Sequence, residues 1–191
     1  MIIGITGTDG SGKGSAVSYL VDKLNFTHYS SRDLIMAEVK KRNLEPNRSN
    51  LRLVGNEMRE EGGADVIVKK ALEKIEIDNI ENAVIESVRT VKEAETLIQA
   101  GGILLAVDAP IEVRYKRIVE RGGDTDKVSF SDFVEQEEAE MNDEDPNGMQ
   151  KAKVMKMAGQ TISNCESLES LYKSIDNWLI KLGYVQTKKR S

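Results

Sequence analysis

The chain has 191 residues, 39% hydrophobic and 31% charged, enough apolar material for one domain with a sizeable core. Its 27 basic residues stand against 32 acidic ones, a net charge of -5, which argues against a non-specific nucleic-acid binder and leaves room for a local basic cleft around a small anion. A single cysteine, Cys165, excludes an internal disulfide; no apolar run approaches the roughly 18 residues of a membrane span, and the N-terminus lacks a basic, cleavable leader, so the expectation is a cytoplasmic protein without membrane or nucleic-acid partners.

Short apolar runs alternate with longer stretches of helical spacing. Ile2 to Thr6 reads as a buried strand, Ser15 to Leu24 as a helix and Thr27 to Ser30 as a weaker strand. Helical patterns follow over Arg32 to Arg42, around Leu51, Val54 and Met58, and, beyond the Gly62-Gly63 break, over Ala64 to Ile75. Strands at Ala83 to Glu86, Ile103 to Asp108 and Thr161 to Ser163 then alternate with helices at Val91 to Ala100, Ile111 to Arg121, Phe130 to Met141, Gln150 to Met157 and Leu168 to Leu182. This order predicts an α/β fold of three layers: about five parallel strands with helices on both faces. Residues 1–31, 78–121 and 159–186 form the core of one domain spanning 1–191. The strand-free stretches 32–77 and 122–158 are expected to pack over the carboxyl edge of the sheet, where ligands bind in open α/β folds. The basic tail Thr187 to Ser191 is expected to fray.

The segment Gly7-Thr8-Asp9-Gly10-Ser11-Gly12-Lys13-Gly14-Ser15 follows an apolar strand and opens a helix. Its glycines permit positive φ, so successive backbone N–H groups can turn inward around an anion, and the helix N-terminus adds partial positive charge. Asp9, Gly10, Ser11, Gly12, Lys13, Gly14 and Ser15 are therefore the candidate nucleotide-binding residues, with Lys13 serving the β- and γ-phosphates. The hydroxyl that usually follows the lysine is replaced by Gly14, with Ser15 next.

A kinase needs a second anion site beside such a loop. Val84-Ile85-Glu86-Ser87-Val88-Arg89-Thr90 ends a strand on an acid with an arginine three residues on, and Arg114, Arg117 and Arg121 lie along one helix before Gly122-Gly123-Asp124. With the GKGS loop, these motifs resemble the nucleoside monophosphate kinases of the adenylate kinase type. Val107-Asp108-Ala109-Pro110 and Thr161-Ile162-Ser163-Asn164 add a similarity to the dephospho-CoA kinases, and the likeness runs over nearly the whole chain. It implies ATP with magnesium. Ser15 and Glu86 would contact the metal through water, Arg89 would grip the acceptor phosphate, and Arg117 and Arg121 would close over the transferring group from a short lid. Asn164 and Cys165 would lie beside the adenine, largely through backbone contacts, with Ser167 starting the next helix. The segment 32–77 would bind the acceptor through Arg32 and Asp33, joined by Glu86 and Arg89 from the end of the Ala83 to Glu86 strand.

The chain departs from both groups. Met36 stands where the adenylate kinase pattern has an arginine for the acceptor phosphate, leaving Arg32, one turn earlier, as a substitute; Gly14 departs from the dephospho-CoA kinase loop. Asp33 reads either as a base for a ribose hydroxyl or as a stabiliser of a helix start. The function expected is ATP-dependent transfer of the γ-phosphate to a nucleoside or deoxynucleoside monophosphate, by a monomer or homodimer. Phosphorylation of dephospho-CoA, or nucleotide binding without catalysis, are the alternatives. Arg114, the lone His28, and Glu135, Glu137, Glu138 and Glu140 read as surface or structural residues.

Overall fold

The structure, a computed structural model, describes residues 1–122, 128–145 and 147–184, all but the side chain of Arg48. Five parallel strands, β1 (Ile2–Gly7), β2 (Thr27–Ser30), β3 (Ala83–Glu86), β4 (Ile103–Asp108) and β5 (Gln160–Ser163), stand in the order β2-β3-β1-β4-β5. The helices are α1 (Lys13–Leu24), α2 (Ser31–Lys41), α3 (Arg48–Gly62), α4 (Val66–Ile77), α5 (Val91–Gln99), α6 (Ile111–Arg121), α7 (Phe130–Met141), α8 (Lys151–Lys156) and α9 (Leu168–Lys181). The expected lid residues 123–127 and the basic tail 187–191 lie outside the described residues.

The three inner strands, β1, β3 and β4, are apolar on both sides because helices cover both. Alternation sends Ile3, Ile5, Val84, Leu105 and Val107 to one face, where α1 meets them with Ala16, Val17 and Leu20, and α9 with Leu171, Ile175, Trp178 and Leu179. The opposite face carries Ala83, Ile85 and Leu104 against α4, α5 and α8. A smaller cluster of Val39, Val54, Met58 and Ile67 joins α2, α3 and α4 into a separate helical shoulder beside β2. That shoulder belongs to the stretch 32–77 expected over the carboxyl edge, but α4 of that stretch and α8 of 122–158 instead cover a sheet face, where Val68, Ala71, Ile75 and Val154 bury apolar surface against Ala83, Ile85 and Leu104. In the shoulder, α2 and α3 start on polar side chains: Ser30 Oγ accepts from Asp33 N at 3.3 Å and Asn47 Oδ1 from Asn50 N at 2.9 Å. Its last corner is fixed to the core where Thr90 Oγ1 donates to Ala64 O at 3.2 Å and Thr96 Oγ1 to Asp65 Oδ2 at 2.5 Å.

All five strands end at one edge, so Gly7, Ser30, Glu86, Asp108 and Ser163 share it. Among the described residues no helix is long and apolar enough to cross a membrane. Leu105, wholly buried on the central β4, should lose about 2–5 kcal/mol of unfolding free energy on replacement by Ala. Leu168→Ala, at a position 52% exposed, should shift it by no more than about 0.5 kcal/mol; urea unfolding with unchanged m-values measures both.

Candidate functional site

The loop after β1 depends on three glycines with positive φ, Gly7, Gly10 and Gly12. Gly7 has φ 133, and a Cβ there would fall 1.9 Å from the backbone oxygen of Val107. Gly12, with φ 97, is the N-cap of α1 and gives it no side-chain cap; a Cβ on it would sit 2.3 Å from Asn164 Nδ2. The first turn of α1 therefore keeps its N–H groups and the positive end of its dipole for an external anion. Around Gly14 nothing lies within 4 Å of where a Cβ would be, so the loop is open on that side.

The loop is held by its carbonyl oxygens. Lys13 Nζ donates to Gly7 O at 3.0 Å and Thr8 O at 2.7 Å. Arg114 Nη1 donates to Asp9 O at 3.3 Å, Asn164 Nδ2 to Ser11 O at 2.7 Å, and Arg117 Nη1 reaches the same oxygen at 3.5 Å. Thr8 Oγ1 donates to Asp108 Oδ1 at 2.6 Å, tying the loop to the end of β4. One expectation changes here. Arg114, read as a surface residue, is buried because its guanidinium serves the Ala109 and Asp9 carbonyls and pairs with Glu137. Asn164, expected to meet an adenine largely through its backbone, has its side chain buried beneath the loop as a brace. Ser167 caps α9, accepting from Ser170 N at 3.3 Å.

Lys151, at the start of α8, is a site residue that sequence reasoning missed. Its side chain is only 5% exposed, and Nζ donates to Asp9 Oδ2 at 2.8 Å and to Glu140. The signal was a lysine three residues before the buried Val154, on the apolar stripe of a short helix. Asp9 thus lies between two ammonium groups, with Lys13 Nζ at 3.4 Å. Burial would push its carboxyl up, but Lys13 and Lys151 together outweigh burial and hold it well below the usual carboxylate range. Burial pushes Lys13 down, against the pull of Asp9. The glutamates of α7 also need correcting. Glu135 and Glu138 are exposed as expected, but Glu137 and Glu140, one turn apart, face the buried Arg114 and Lys151 and are half-buried because they neutralise them.

The second group of charges comes from the end of β3. Glu86 Oε2 lies 2.9 Å from His28 Nε2, so the histidine read as structural is an exposed edge-strand residue paired with a candidate site acid. That hydrogen bond raises His28 and lowers Glu86 relative to their ordinary values. Ser87 turns the chain with φ 66, and Val88 N returns to Ile5 O at 3.0 Å. Arg89 follows with its side chain exposed at the edge, close enough for its charge to act on Asp9, Lys13 and Glu86. Its backbone is pinned on both sides: Arg89 N donates to Glu93 Oε2 at 2.7 Å, and Gln150 N donates to Arg89 O at 3.1 Å. Thr90 and Glu93 form a capping box on α5.

Lys13, Asp9, Glu86, Arg89, Arg117 and Asn164 are thus gathered around one loop. Arg32 and Asp33 lie exposed on the first turn of α2, which Ser31 Oγ ties to Glu86 O at 3.0 Å, and the charge of Asp33 reaches His28. Arg121 ends α6, next to residues outside the described set. Ser15 lies half-buried in the first turn of α1. Among the described residues no group of three or more His, Cys, Asp or Glu side chains is arranged to hold a metal.

The five-stranded parallel sheet and the glycine-lysine loop define a P-loop protein with a kinase-like fold. A family profile described as an AAA domain matches residues 3–177. The chain is 31% identical over 181 residues to a UPF0200 protein of Methanosarcina acetivorans, covering 93% of each, and 29% identical over 182 residues to a UPF0200 protein of Methanocaldococcus jannaschii, covering 94% of this chain and 89% of that one. It belongs to the UPF0200 family, within the AAA-domain P-loop proteins. Among solved structures, shikimate kinase from Bacteroides thetaiotaomicron aligns with a TM-score of 0.63 at 16% identity, covering 96% of this chain and 99% of that one. The protein TT1252 from Thermus thermophilus aligns with 0.58 at 24% identity, covering 95% and 97%. Both likenesses are of fold.

Burial raises the Glu93 carboxyl above its ordinary value, against the N–H groups of Arg89 and Thr90 that favour the anion. A raised folded-state value means that ionising Glu93 weighs against the fold, so stability falls as pH rises from the ordinary glutamate range through the folded value. Glu93→Gln removes that ionisation. Thermal midpoints measured from about pH 5 to about pH 8 should show wild type losing stability relative to the variant as pH rises.

Proposed function

We propose that this protein is an ATP-dependent phosphotransferase acting on a nucleoside or deoxynucleoside monophosphate. The observation that carries the reading is the placement of Arg89 and Glu86 after β3 with their charges acting on or with Lys13, and with the start of α2 tied to Glu86 O through Ser31, an arrangement that would give a second anion site next to the phosphate loop. The uncapped start of α1, the open side at Gly14 and the buried, unpartnered Ser11 Oγ fit a triphosphate with magnesium. When bound, ATP would supply the γ-phosphoryl group. Lys13 and the amides of Gly10 to Ser15 would hold the β- and γ-phosphates, with Ser15 and Glu86 meeting magnesium through water.

The protein's contribution is positioning and electrostatics rather than covalent chemistry. Arg89 and Arg117 would concentrate positive charge where the transferred group passes, while Lys151, buried and paired with Asp9 and Glu140, holds Asp9 in place. Asp9, flanked by Lys13 and Lys151, fixes both ammonium groups near the loop mouth. His28 holds one oxygen of Glu86. Arg121 would act from the lid side.

ADP release measured across ribonucleoside and deoxyribonucleoside monophosphates, dephospho-CoA and shikimate tests the reading. A monophosphate should be the best acceptor; ATP binding with no acceptor in the panel would favour a nucleotide-binding regulator. In the same assay Lys13→Ala removes a charge from a partly desolvated site, worth roughly 3 kcal/mol, and turnover should fall at least about a hundredfold.

The exposed carboxylate of Asp33, close enough to act on His28, keeps the dephospho-CoA kinase reading in play. A monophosphate is already an anion near neutral pH, whereas a ribose hydroxyl needs a base worth about 10²- to 10⁴-fold. Asp33→Asn should therefore leave single-turnover chemistry within about tenfold. A loss of about a hundredfold or more with ATP affinity preserved would assign Asp33 as the base of a hydroxyl kinase.

A further inference from the structure

Lysine is almost never fully buried unless paired, because its ammonium is a compact and strongly hydrated charge. Lys151 is buried all the same, its side chain 5% exposed at the start of the six-residue helix α8. Two carboxylates from distant parts of the chain meet it, Glu140 of α7 and Asp9 of the phosphate loop. One carboxylate balances one ammonium, so Glu140 is enough for neutrality. Asp9 is the partner that burial alone does not account for.

The two oxygens of Asp9 are divided between two lysines. Oδ2 accepts from Lys151 Nζ at 2.8 Å, the length of a charge-assisted hydrogen bond. Oδ1 lies 3.4 Å from Lys13 Nζ, a longer and weaker contact. The Asp9 side chain is 53% exposed, so the carboxylate has room to turn toward either. Lys13 Nζ already donates to Gly7 O and Thr8 O. A carboxylate closed on it would neutralise its charge and hold it against those carbonyls. The charge of Asp9 favours the ammonium form of Lys13 and that of Lys151 opposes it, so the three groups act on one another in the structure. Lys151 is itself fixed on both sides: Gln150 N donates to Arg89 O at 3.1 Å, and Val154, one turn on, is wholly buried in the core cluster of Ala83, Ile85 and Leu104.

We propose that Lys151 is a positioning residue for the phosphate loop: by donating the short hydrogen bond to Asp9 Oδ2 it keeps that carboxylate from closing on Lys13, and so leaves the Lys13 ammonium for the triphosphate. Lys151 acts through Asp9 and not on the phosphates. Glu140 balances the charge that Lys151 brings in, which makes α7 the outer support of the arrangement. The proposal rests on the loop's binding a nucleoside triphosphate and is independent of the acceptor.

The test is equilibrium binding of magnesium-ATP to wild type, Lys151→Met, Lys151→Arg, Asp9→Asn and the Lys151→Met, Asp9→Asn double variant, with thermal midpoints measured in parallel. Lys151→Met should raise the Kd about tenfold, and Lys151→Arg, which can still donate to Asp9, should stay within about threefold of wild type. In the Asp9→Asn background Lys151→Met should cost no more than about twofold, because the carboxylate it restrains is gone. A packing role would lower the midpoint and leave the Kd of the folded protein unchanged; a direct role on the phosphates would cost the same in both backgrounds. Either result overturns the proposal. If Lys151→Met does not fold because Glu140 is left without its partner, the pair Lys151→Met with Glu140→Gln, which removes both charges, is compared in the two backgrounds and the same results decide. If wild type binds no magnesium-ATP, the phosphate-loop reading itself fails and the proposal with it; binding by wild type with an unchanged Kd in the Lys151 variants overturns the proposal alone.

Discussion

A loop that offers its amide N–H groups to an anion cannot use those same groups to hold itself in shape. This chain meets the constraint by gripping the loop through its other polar half. The carbonyls of Gly7, Thr8, Asp9 and Ser11 accept from Lys13, Arg114, Asn164 and Arg117. Each of these donors has its own reason to be there: Lys13 opens α1, Arg114 and Arg117 share a face of α6, and Asn164 closes β5. The sheet order follows the same need, because β1 must be central for the ends of β4 and β5 to reach under the loop from one side while β3 brings its acid and arginine from the other.

The cations that make such a site attractive to phosphate are costly to bury, and the fold offsets them in pairs. Arg114 meets Glu137, and Lys151 meets Asp9 and Glu140. Truncating one member of such a pair would leave its partner buried and uncompensated, the strongly destabilising case for charge burial. The arrangement also couples parts of the chain that look independent. Helix α7, beyond the expected lid, bears on the phosphate loop through two glutamates one turn apart, so the charge state of the loop and the seating of α7 are linked.

The fold was legible because its signals are local. Apolar runs marked the strands, 3.6-residue spacing marked the helices, and a glycine-lysine loop between strand and helix marked the site; boundaries moved by a residue or two where Val66 starts α4 or Gln160 starts β5. What could not be read were charges whose meaning depends on a distant partner. Lys151 and Asp9 are separated by 142 residues, and His28 and Glu86 by 58. A helical glutamate run looks the same in sequence whether it faces water or a buried arginine, so Glu137 and Glu138, adjacent in the chain, received one reading and required two. Asn164 was expected to serve the nucleotide through its backbone; that its side-chain amide also braces Ser11 is a contact that no pattern of residue types encodes.

The brace from Asn164 to Ser11 spans 153 positions, which sets the order in which the molecule can become functional. Chains are made from the N-terminus, and a contact of long sequence separation forms only after the intervening chain has been ordered or closed into a loop. The phosphate loop is therefore made well before the strand that completes it and is among the last segments to reach its final shape. Its glycines, Lys13 and the start of α1 are available early. Asp108 and Arg114 reach it only after α5 is made, and Asn164 only when β5 takes its place at the sheet edge. A nascent or truncated chain ending before that strand would carry the whole motif without the frame that shapes it, so the shape of the loop reports on the folding of nearly the entire sequence.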